Sequence, residues 1–227
     1  MKHAPVLVTG AGSGIGLAIV QALLQAGRAV IAGARRPAHL RLLQDLGAKA
    51  LALDVRDPAQ VQQAAAAVVA AGQGLQGLVH NASVGGIGLL PSWSDDDVHD
   101  LFDTNVFGPH RLTRALLPAL LHAQGRVVCI GSQGGSLTAP FMGPYTMSKH
   151  ALEAYAACLR QELGPHGVAV SIVQPGAVAT AIGDNGRDAN VARLRATPTP
   201  FDAPSHRWDE ATFIAHCQQA WRQGRPT

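Results

Sequence analysis

Residues 6–16 read Val-Leu-Val-Thr-Gly-Ala-Gly-Ser-Gly-Ile-Gly, and this stretch decides the fold. The apolar run Val6–Val8 predicts a short buried strand that stops at Thr9. The glycines that follow predict a tight turn, whose backbone N–H groups can approach a phosphate at the start of a helix. A strand-to-helix loop without a ligand is the alternative for such a turn taken alone. Its place between the first strand and the first helix favours nucleotide binding.

Five further apolar runs alternate with helical patterns along the chain. Strands are predicted at residues 29–32, 50–53, 77–80, 126–130 and 168–173. Helices are predicted at residues 17–26, 38–46, 58–71, 98–107 with 109–123, 145–163 and 208–222. Short strands that are apolar on both faces and separated by helix-length segments indicate a parallel sheet covered on both sides. The prediction is an α/β protein: a single doubly wound Rossmann domain over residues 1–227, with six parallel strands.

Composition narrows the class of protein. Of 227 residues, 47% are hydrophobic and 15% charged, which excludes a disordered chain. No apolar run reaches the roughly 18 residues that span a bilayer, and the N-terminal residues lack a signal-peptide pattern. We therefore expect neither membrane insertion nor export. Three widely spaced cysteines exclude a full disulfide framework and favour a reducing cytosol, so a cytoplasmic location is expected.

Charge and histidine content point to neither nucleic acid nor metal. Eighteen basic residues stand against fifteen acidic ones, and the basic residues form no stripe. The ten histidines show no metal-ligand spacing with acids or cysteines. We expect no nucleic-acid partner and no metal.

Ligands of parallel α/β sheets bind beyond the carboxyl ends of the strands, so the residues there are candidates for function. Arg35 and Arg36 follow the second strand, where NAD-binding folds usually place an acid, and arginine accommodates a 2′-phosphate instead. A solvated basic turn is the alternative. Asp54 follows the third strand and could hydrogen-bond an adenine edge. A helix cap is its alternative, although Asp57 is better placed for that role.

The residues after the later strands complete a pattern. In chain order they are His80-Asn81-Ala82-Ser83, Gly131-Ser132, Tyr145-Thr146-Met147-Ser148-Lys149 and Pro175-Gly176. Together with the glycine-rich turn, this order resembles the short-chain dehydrogenase/reductase family from about residue 5 to about residue 182. The stretch from Ser132 to Pro175 is most similar to the branch that includes retinol and hydroxysteroid dehydrogenases.

The chemistry expected of this pattern centres on a tyrosine and a lysine. Tyr145 and Lys149 stand four positions apart and so share one face of a helix. A nearby ammonium stabilises tyrosinate and should lower the pKa of the phenol toward neutral pH, where acid–base catalysis is effective. A surface pair is the alternative. The resemblance implies that Ser132 hydrogen-bonds the substrate oxygen. It also implies that Asn105 holds a water linking Lys149 to solvent, with a solvated helix residue as the alternative.

The resemblance and the two arginines together imply NADP(H) as the cofactor, with Lys149 holding the nicotinamide ribose. The residues expected to bind the cofactor are Gly10, Ser13, Gly14, Ile15, Gly16, Arg35, Arg36, Asp54, Val55, Asn81, Tyr145, Lys149, Pro175, Gly176, Val178 and Thr180. The expected function is an NADP(H)-dependent oxidoreductase that interconverts a ketone or aldehyde and an alcohol by hydride transfer. Segments 84–93 and 140–143 are mostly apolar and, with 183–208, are expected to line the pocket. A small hydrophobic carbonyl or alcohol is therefore the expected partner, and a homodimer through residues 98–121 and 145–163 the expected assembly.

Two departures from the family pattern support an alternative. The family usually has Asn-Asn-Ala-Gly where this chain has His80 and Ser83 at the ends of the motif. The family also usually adds a seventh strand, whereas residues 183–227 predict a substrate loop and a helix only, which leaves the sixth strand at the sheet edge. These departures favour a nucleotide-bound sensor or scaffold with little turnover. The intact set of Ser132, Tyr145 and Lys149 favours the enzyme.

Overall fold

Strands and helices alternate along a computed structural model that describes residues 4–70, 72–139, 141–176, 178 and 190. The strands are β1 (Val6–Val8), β2 (Val30–Ala34), β3 (Lys49–Ala52), β4 (Gly77–His80), β5 (Arg126–Ile130) and β6 (Ala169–Val173). The α-helices are α1 (Gly14–Gln25), α2 (Pro37–Asp45), α3 (Pro58–Val69), α4 (Asp95–Phe102), α5 (Gly108–Ala123) and α6 (Gly143–Leu163). Among the described residues, every strand but the last is followed by at least one helix.

The six strands form one parallel sheet in the order β3-β2-β1-β4-β5-β6. Neighbouring side chains of β1 point to opposite faces: Leu7 packs in a cluster with residues of α3, α5 and α6, whereas Val8 packs in a second cluster with residues of α1 and α2. The expected doubly wound α/β fold with six parallel strands is confirmed. The predicted helix 208–222 and the expectation of no seventh strand fall outside the described residues.

The strand order reverses beside β1, because the chain leaves β1 toward β2 on one side and later returns to β4 on the other. Such a switch point opens a crevice at the carboxyl ends of the strands, where ligands of this class of sheet bind. The topology therefore brings the loops after β1, β4 and β5 together at the carboxyl ends of the strands.

Three helices begin two or three residues earlier than predicted, and one of them is α4, which starts at Asp95 rather than at residue 98. Helix α1 starts at Gly14 rather than Leu17, so two glycines of the turn belong to its first turn. Helix α6 starts at Gly143, and Pro144 fits its first turn because the amide there needs no partner inside the helix.

The predicted break between residues 107 and 109 is wrong. Helix α4 continues through one π-helical turn, Asp103–Phe107, into α5. Pro109 causes no break because it stands at the start of α5. The guanidinium of Arg111 fixes the turn, since it donates to Asp103 Oδ1 at 2.8 Å and to the Val55 carbonyl at 2.7 Å. Single π-helical turns are frequent at functional sites, and this one contains Asn105.

Candidate active site

The glycine-rich loop after β1 is clamped to the end of β4. Asn81 Nδ2 donates to the carbonyls of Thr9 and Gly10 at 2.9 and 3.0 Å, and Thr9 Oγ1 accepts from the amides of Asn81 and Ala82 at 3.0 Å each. Gly10 has a φ of +60°, and a Cβ there would lie 2.8 Å from Ala82 Cα. At Gly16 a Cβ would lie 2.4 Å from Asn81 Nδ2. Glycine is therefore required at both positions for this approach of backbone and amide.

The start of α1 is suited to an anion. Ser13 occupies the N-cap position, but its side chain does not bond to the helix, and no acidic residue stands in the first turn. In contrast, Asp57 caps α3 with its own carboxylate. Within the described part of the chain, the first-turn amides of α1, which include those of Gly14, Ile15 and Gly16, thus have no side-chain acceptor. Such amides, together with the helix dipole, fit the pyrophosphate of a dinucleotide.

Two arginines and an aspartate stand beyond β2 and β3. Arg35 Nη1 lies 3.7 Å from Asp54 Oδ2, and its side chain is 56% exposed. Arg56 donates to the same carboxylate from its backbone amide and its guanidinium, at 3.0 to 3.3 Å. Burial raises the pKa of Asp54, but the bonds from Arg56 and the charge of Arg35 outweigh it and lower the pKa overall. Asp54 is therefore ionised and helps to orient Arg35, while the backbone of Arg36 forms the N-cap of α2.

Val55 contributes its side chain to the core and not to a ligand. It is 3% exposed, and a Cβ at Gly108 would lie 2.6 Å from its Cγ2 atom. Its carbonyl accepts from Arg111. Any contact between Val55 and a nucleotide would therefore use its backbone amide.

Ser132 and Tyr145 meet across Gly134. A Cβ at Gly134 would lie 3.4 Å from Tyr145 Cε1 and 3.5 Å from Ser132 Oγ. Ser132 Oγ also accepts a hydrogen bond from the Gly134 amide at 3.1 Å, which fixes the serine rotamer. The turn after β5 thus aims a hydroxyl at the phenol carried by α6.

Lys149 is buried beneath this pair. Its side chain is 2% exposed, and Nζ donates to the Ile130 carbonyl at 3.0 Å and lies 5.6 Å from the centre of the Tyr145 ring. Burial lowers the pKa of Lys149 to about 8. The ammonium therefore prevails at neutral pH, close to the pH at which it would lose its proton.

The pKa of Tyr145 departs from the expected direction. Burial raises it, and the interaction with the Ser132 hydroxyl lowers it by less. The expected fall of the Tyr145 pKa toward neutral pH is wrong for this arrangement, because burial outweighs the interactions that lower the pKa. Tyr145 is therefore protonated at neutral pH and is placed to donate a proton.

The Asn105 side chain bonds only to protein groups, and its expected role of holding a water stays a prediction that its backbone would have to fulfil. Its Oδ1 accepts from Ser83 Oγ at 3.1 Å and from the Val84 amide at 2.9 Å, and its Nδ2 donates to the Val84 carbonyl at 2.9 Å and to Ser148 Oγ at 3.0 Å. An amide side chain offers two donors and two acceptor lone pairs, so this side chain is fully used. Ser148 donates onward to the Tyr145 carbonyl at 2.8 Å. The Asn105 side chain therefore ties the loop after β4 to the helix of Tyr145.

The structure accounts for both departures in the β4 motif. Ser83, in place of the usual glycine, supplies one of the bonds to Asn105. His80 is buried and pairs through Nε2 with Thr113 Oγ1 of α5 at 2.7 Å. Burial lowers the pKa of His80 to about 3, so the ring is neutral. Ser148 and Thr113 were not predicted from the sequence, since nothing in the local pattern reveals partners so far along the chain.

The turn after β6 lies beside Ser132. The Pro175 carbonyl accepts from the Gln133 amide at 3.1 Å, and a Cβ at Gly176 would lie 3.3 Å from Gln133 Nε2. Val178 is 43% exposed. Thr180 lies outside the described residues. The described part of this turn thus borders the same crevice as the serine.

Two apolar side chains in the segments after β4 and β5 are exposed. Leu90 and Leu137 are each more than half exposed. Leu90 packs at the start of α6, where a Cβ on Gly143 would lie 2.7 Å from its Cδ1. The Gly88 amide donates to the Phe141 carbonyl at 2.9 Å, which joins the two segments expected to line the pocket. Pro140 lies outside the described residues.

The other side-chain groups and helices described by the structure indicate no second functional site. Within the described ranges, no group of three or more His, Cys, Asp or Glu side chains could hold a metal ion. Cys129 and Cys158 are free thiols. No described helix is both long and apolar enough to cross a bilayer.

Comparison with known proteins agrees with this geometry. The family described as short chain dehydrogenase matches residues 4–190. An uncharacterized oxidoreductase of Escherichia coli, YbbO, is 39% identical over 182 residues, which cover 79% of this chain and 68% of that protein. Mouse retinol dehydrogenase 5 is 42% identical over 183 residues, or 78% of this chain and 57% of that protein. The solved structure of an actinorhodin polyketide ketoreductase with NADPH has a TM-score of 0.76 at 31% identity, and the match covers 96% of this chain and 90% of that one.

The fold and the site define an oxidoreductase with a dinucleotide-binding sheet. The chain belongs to the short-chain dehydrogenase family. The resemblance to the branch with retinol dehydrogenases is confirmed as well.

Proposed function

We propose that the chain is an NADP(H)-dependent oxidoreductase that interconverts a ketone or aldehyde and an alcohol. NADP(H), when bound, supplies or accepts the hydride. The observation that carries the proposal is the meeting of Ser132 and Tyr145 above the buried ammonium of Lys149, at the carboxyl end of β5. Each of these groups has a task in moving a proton to or from a reacting oxygen.

The protein residues divide the acid–base work. The Ser132 hydroxyl orients the substrate oxygen and hydrogen-bonds to it as negative charge develops. The Tyr145 phenol donates its proton to that oxygen during reduction and recovers it during oxidation. The Lys149 ammonium stabilises the phenolate that remains, because an opposite charge favours the ionised form. Asn105 and Ser148 hold α6, and with it Tyr145, against the loop after β4.

The remaining contacts belong to the cofactor. The uncapped start of α1 would receive the pyrophosphate, and Arg35 with Arg36 would receive the 2′-phosphate, since guanidinium groups bind phosphate with strong bonds. The Val55 amide and Asp54 would face the adenine. Lys149 and the turn at Pro175–Thr180 would face the nicotinamide side of the cofactor. The NADPH of the similar ketoreductase supports this cofactor.

The substrate class and assembly follow from exposed apolar surface. Leu90, Leu137 and Val178 follow β4, β5 and β6 and are exposed, which supports a small hydrophobic carbonyl or alcohol. Phe107 before α5 and Met147 on α6 are about half exposed, which supports a homodimer through these helices.

The free thiols of Cys129 and Cys158 support a reducing, cytoplasmic setting.

The experiment that tests the function pairs turnover with binding. NADPH oxidation is followed by absorbance with a panel of ketones and aldehydes, while NADPH binding is measured separately by fluorescence. Oxidation that depends on the carbonyl is the expected result. Binding without oxidation across the panel would favour the sensor or scaffold. The His80 and Ser83 side chains each have a hydrogen-bond partner inside the protein, which supports the enzyme over that alternative.

A further inference from the structure

Glu153 lies on α6 one helical turn beyond Lys149, outside the set of residues that the family pattern suggests. Its Oε1 accepts a hydrogen bond of 2.8 Å from Gln174 Nε2, just after β6. Gln174 Nε2 also donates to Ser136 Oγ at 2.8 Å. The carboxylate is therefore held at a fixed place between α6 and the ends of β5 and β6.

The carboxylate packs against the backbone on both sides of Ser132. A Cβ at Gly131 would lie 3.0 Å from Glu153 Oε1, and a Cβ at Gly135 would lie 3.0 Å from its Cγ and 3.2 Å from Oε1. Both glycines are buried. Glu153 thus supports the turn that presents the Ser132 hydroxyl, and side chains at these two glycines would push it away.

The same carboxylate lies near Lys149, because the two residues stand one turn apart on α6 and Glu153 Oε1 approaches Gly131, the neighbour of the Ile130 whose carbonyl accepts from Nζ. In the part of the chain that the structure describes, the titratable groups that interact with the ammonium are Tyr145 and Glu153 on α6 and Cys129 on β5. Cys129 can supply a negative charge only as a thiolate, and burial raises its pKa to about 12, so it is neutral at neutral pH. Tyr145 is also neutral there. Among the described residues, Glu153 is therefore the group left to offset the cost of burying a cation.

We propose that Glu153 is a positioning residue, which braces the turn of Ser132 and supplies the negative charge that keeps the buried Lys149 ammonium protonated. This inference rests on the proposed roles of Ser132 and Lys149. It deepens the proposed function, because the ammonium must stay charged to stabilise the Tyr145 phenolate.

The test needs no substrate, so its failure is distinct from failure of the proposed function. The chain has three lysines, Lys2, Lys49 and Lys149, so lysine-labelled protein gives three side-chain signals in a magnetic resonance titration. Lys149→Met identifies the signal of interest. In Glu153→Gln we expect the Lys149 midpoint to fall by roughly half a pH unit or more, since an opposite charge near a buried group shifts its pKa by about 1–3 units at contact distance. The Lys49 midpoint should stay in place, because its side chain is exposed.

Matched variants separate charge from structure. Glu153→Asp keeps the charge and should restore most of the midpoint. Glu162→Gln removes the same charge from an exposed position farther along α6 and should leave Lys149 unchanged. Gln174→Ala keeps the carboxylate but frees it, so a smaller fall in the same direction is expected. If Glu153→Gln does not fold, the Lys149 midpoint in Gln174→Ala tests the proposal instead. An unchanged Lys149 midpoint in folded Glu153→Gln, or in Gln174→Ala if it alone folds, would overturn the proposal.

Discussion

The ammonium of Lys149 lies over the Tyr145 ring, 5.6 Å from its centre. Burial keeps the Tyr145 phenol protonated at neutral pH, while the nearby positive charge favours the phenolate once the proton has left. Lys149 is 2% exposed, and its Nζ donates to the Ile130 carbonyl. Burying a cation in this way costs free energy in the folded state.

That cost should appear in the pH dependence of stability. Burial lowers the pKa of Lys149 from 10.5 to about 8. Between these values the unfolded chain binds a proton that the folded chain has released, so this group makes the free energy of unfolding rise with pH across the window. At lower pH both states are protonated and the full penalty, up to about 3 kcal/mol, is present.

Lys149→Met removes this contribution. Relative to the variant, the wild type should gain up to about 3 kcal/mol as the pH rises from 8 to 10.5. Urea unfolding of both proteins across that window measures the difference. A constant difference between them would show that Lys149 does not titrate as the structure indicates.

Arg35 and Arg36 should set the choice of cofactor. With arginines and no acid directly after β2, NADPH is expected to bind more tightly than NADH. Changing both to alanine should remove most of that preference while NADH affinity changes little. Dissociation constants for the two cofactors, measured by fluorescence, provide the check. Arg41→Ala, an exposed position farther along α2, is the control. Equal affinities in the wild type contradict the assignment.

Gly12 should tolerate no side chain while His39 is present. A Cβ there would lie 2.2 to 2.6 Å from His39 Nδ1, Cγ and Cβ, so the ring and its stem both block the space. Gly12→Ala is expected to lower the free energy of unfolding by about 1–3 kcal/mol, as overpacking does. Adding His39→Ala should restore most of the loss, with His39→Ala alone as the reference. Independent, additive losses would argue against the contact.

The expected dimer can be tested at one exposed aromatic. Phe107 is 50% exposed at the junction of the π-helical turn and α5. A charge at a buried apolar contact is costly, so Phe107→Asp should yield monomers by light scattering. Leu42→Asp, at an apolar position on α2 that is 39% exposed, should not. A wild-type protein that is already monomeric would contradict the predicted assembly.

Most of the fold was predictable, because its signals are local. Apolar runs such as Val6–Val8 alternate with helices that end at glycines, and polar residues follow the strands. The π-helical turn at Asn105 was not predictable, because apolar spacing barely changes when a single helical turn widens. Nor were the partners of Asn105: its bond to Ser148 spans 43 residues and depends on how α4 and α5 approach α6.

The pKa values of Tyr145 and Lys149 were not predictable for a different reason. Sequence spacing placed Tyr145 and Lys149 on one face of a helix, but it could not show how deeply each is buried. Burial reverses the expected direction of the Tyr145 pKa and lowers the pKa of Lys149. The spacing also gave no reason to single out Glu153, whose contacts come from β5 and β6.

The central claim is that Tyr145 exchanges the proton of the reacting oxygen, and Tyr145→Phe tests it most directly. The change removes the hydroxyl and keeps the ring, so NADPH affinity should stay near that of the wild type. The kcat for a carbonyl accepted by the wild type should fall by roughly 10²–10⁴-fold, the usual loss on removing a general acid. Tyr155→Phe, on the same helix, should keep most of the activity. A Tyr145→Phe protein that keeps more than half of the wild-type kcat would contradict the account.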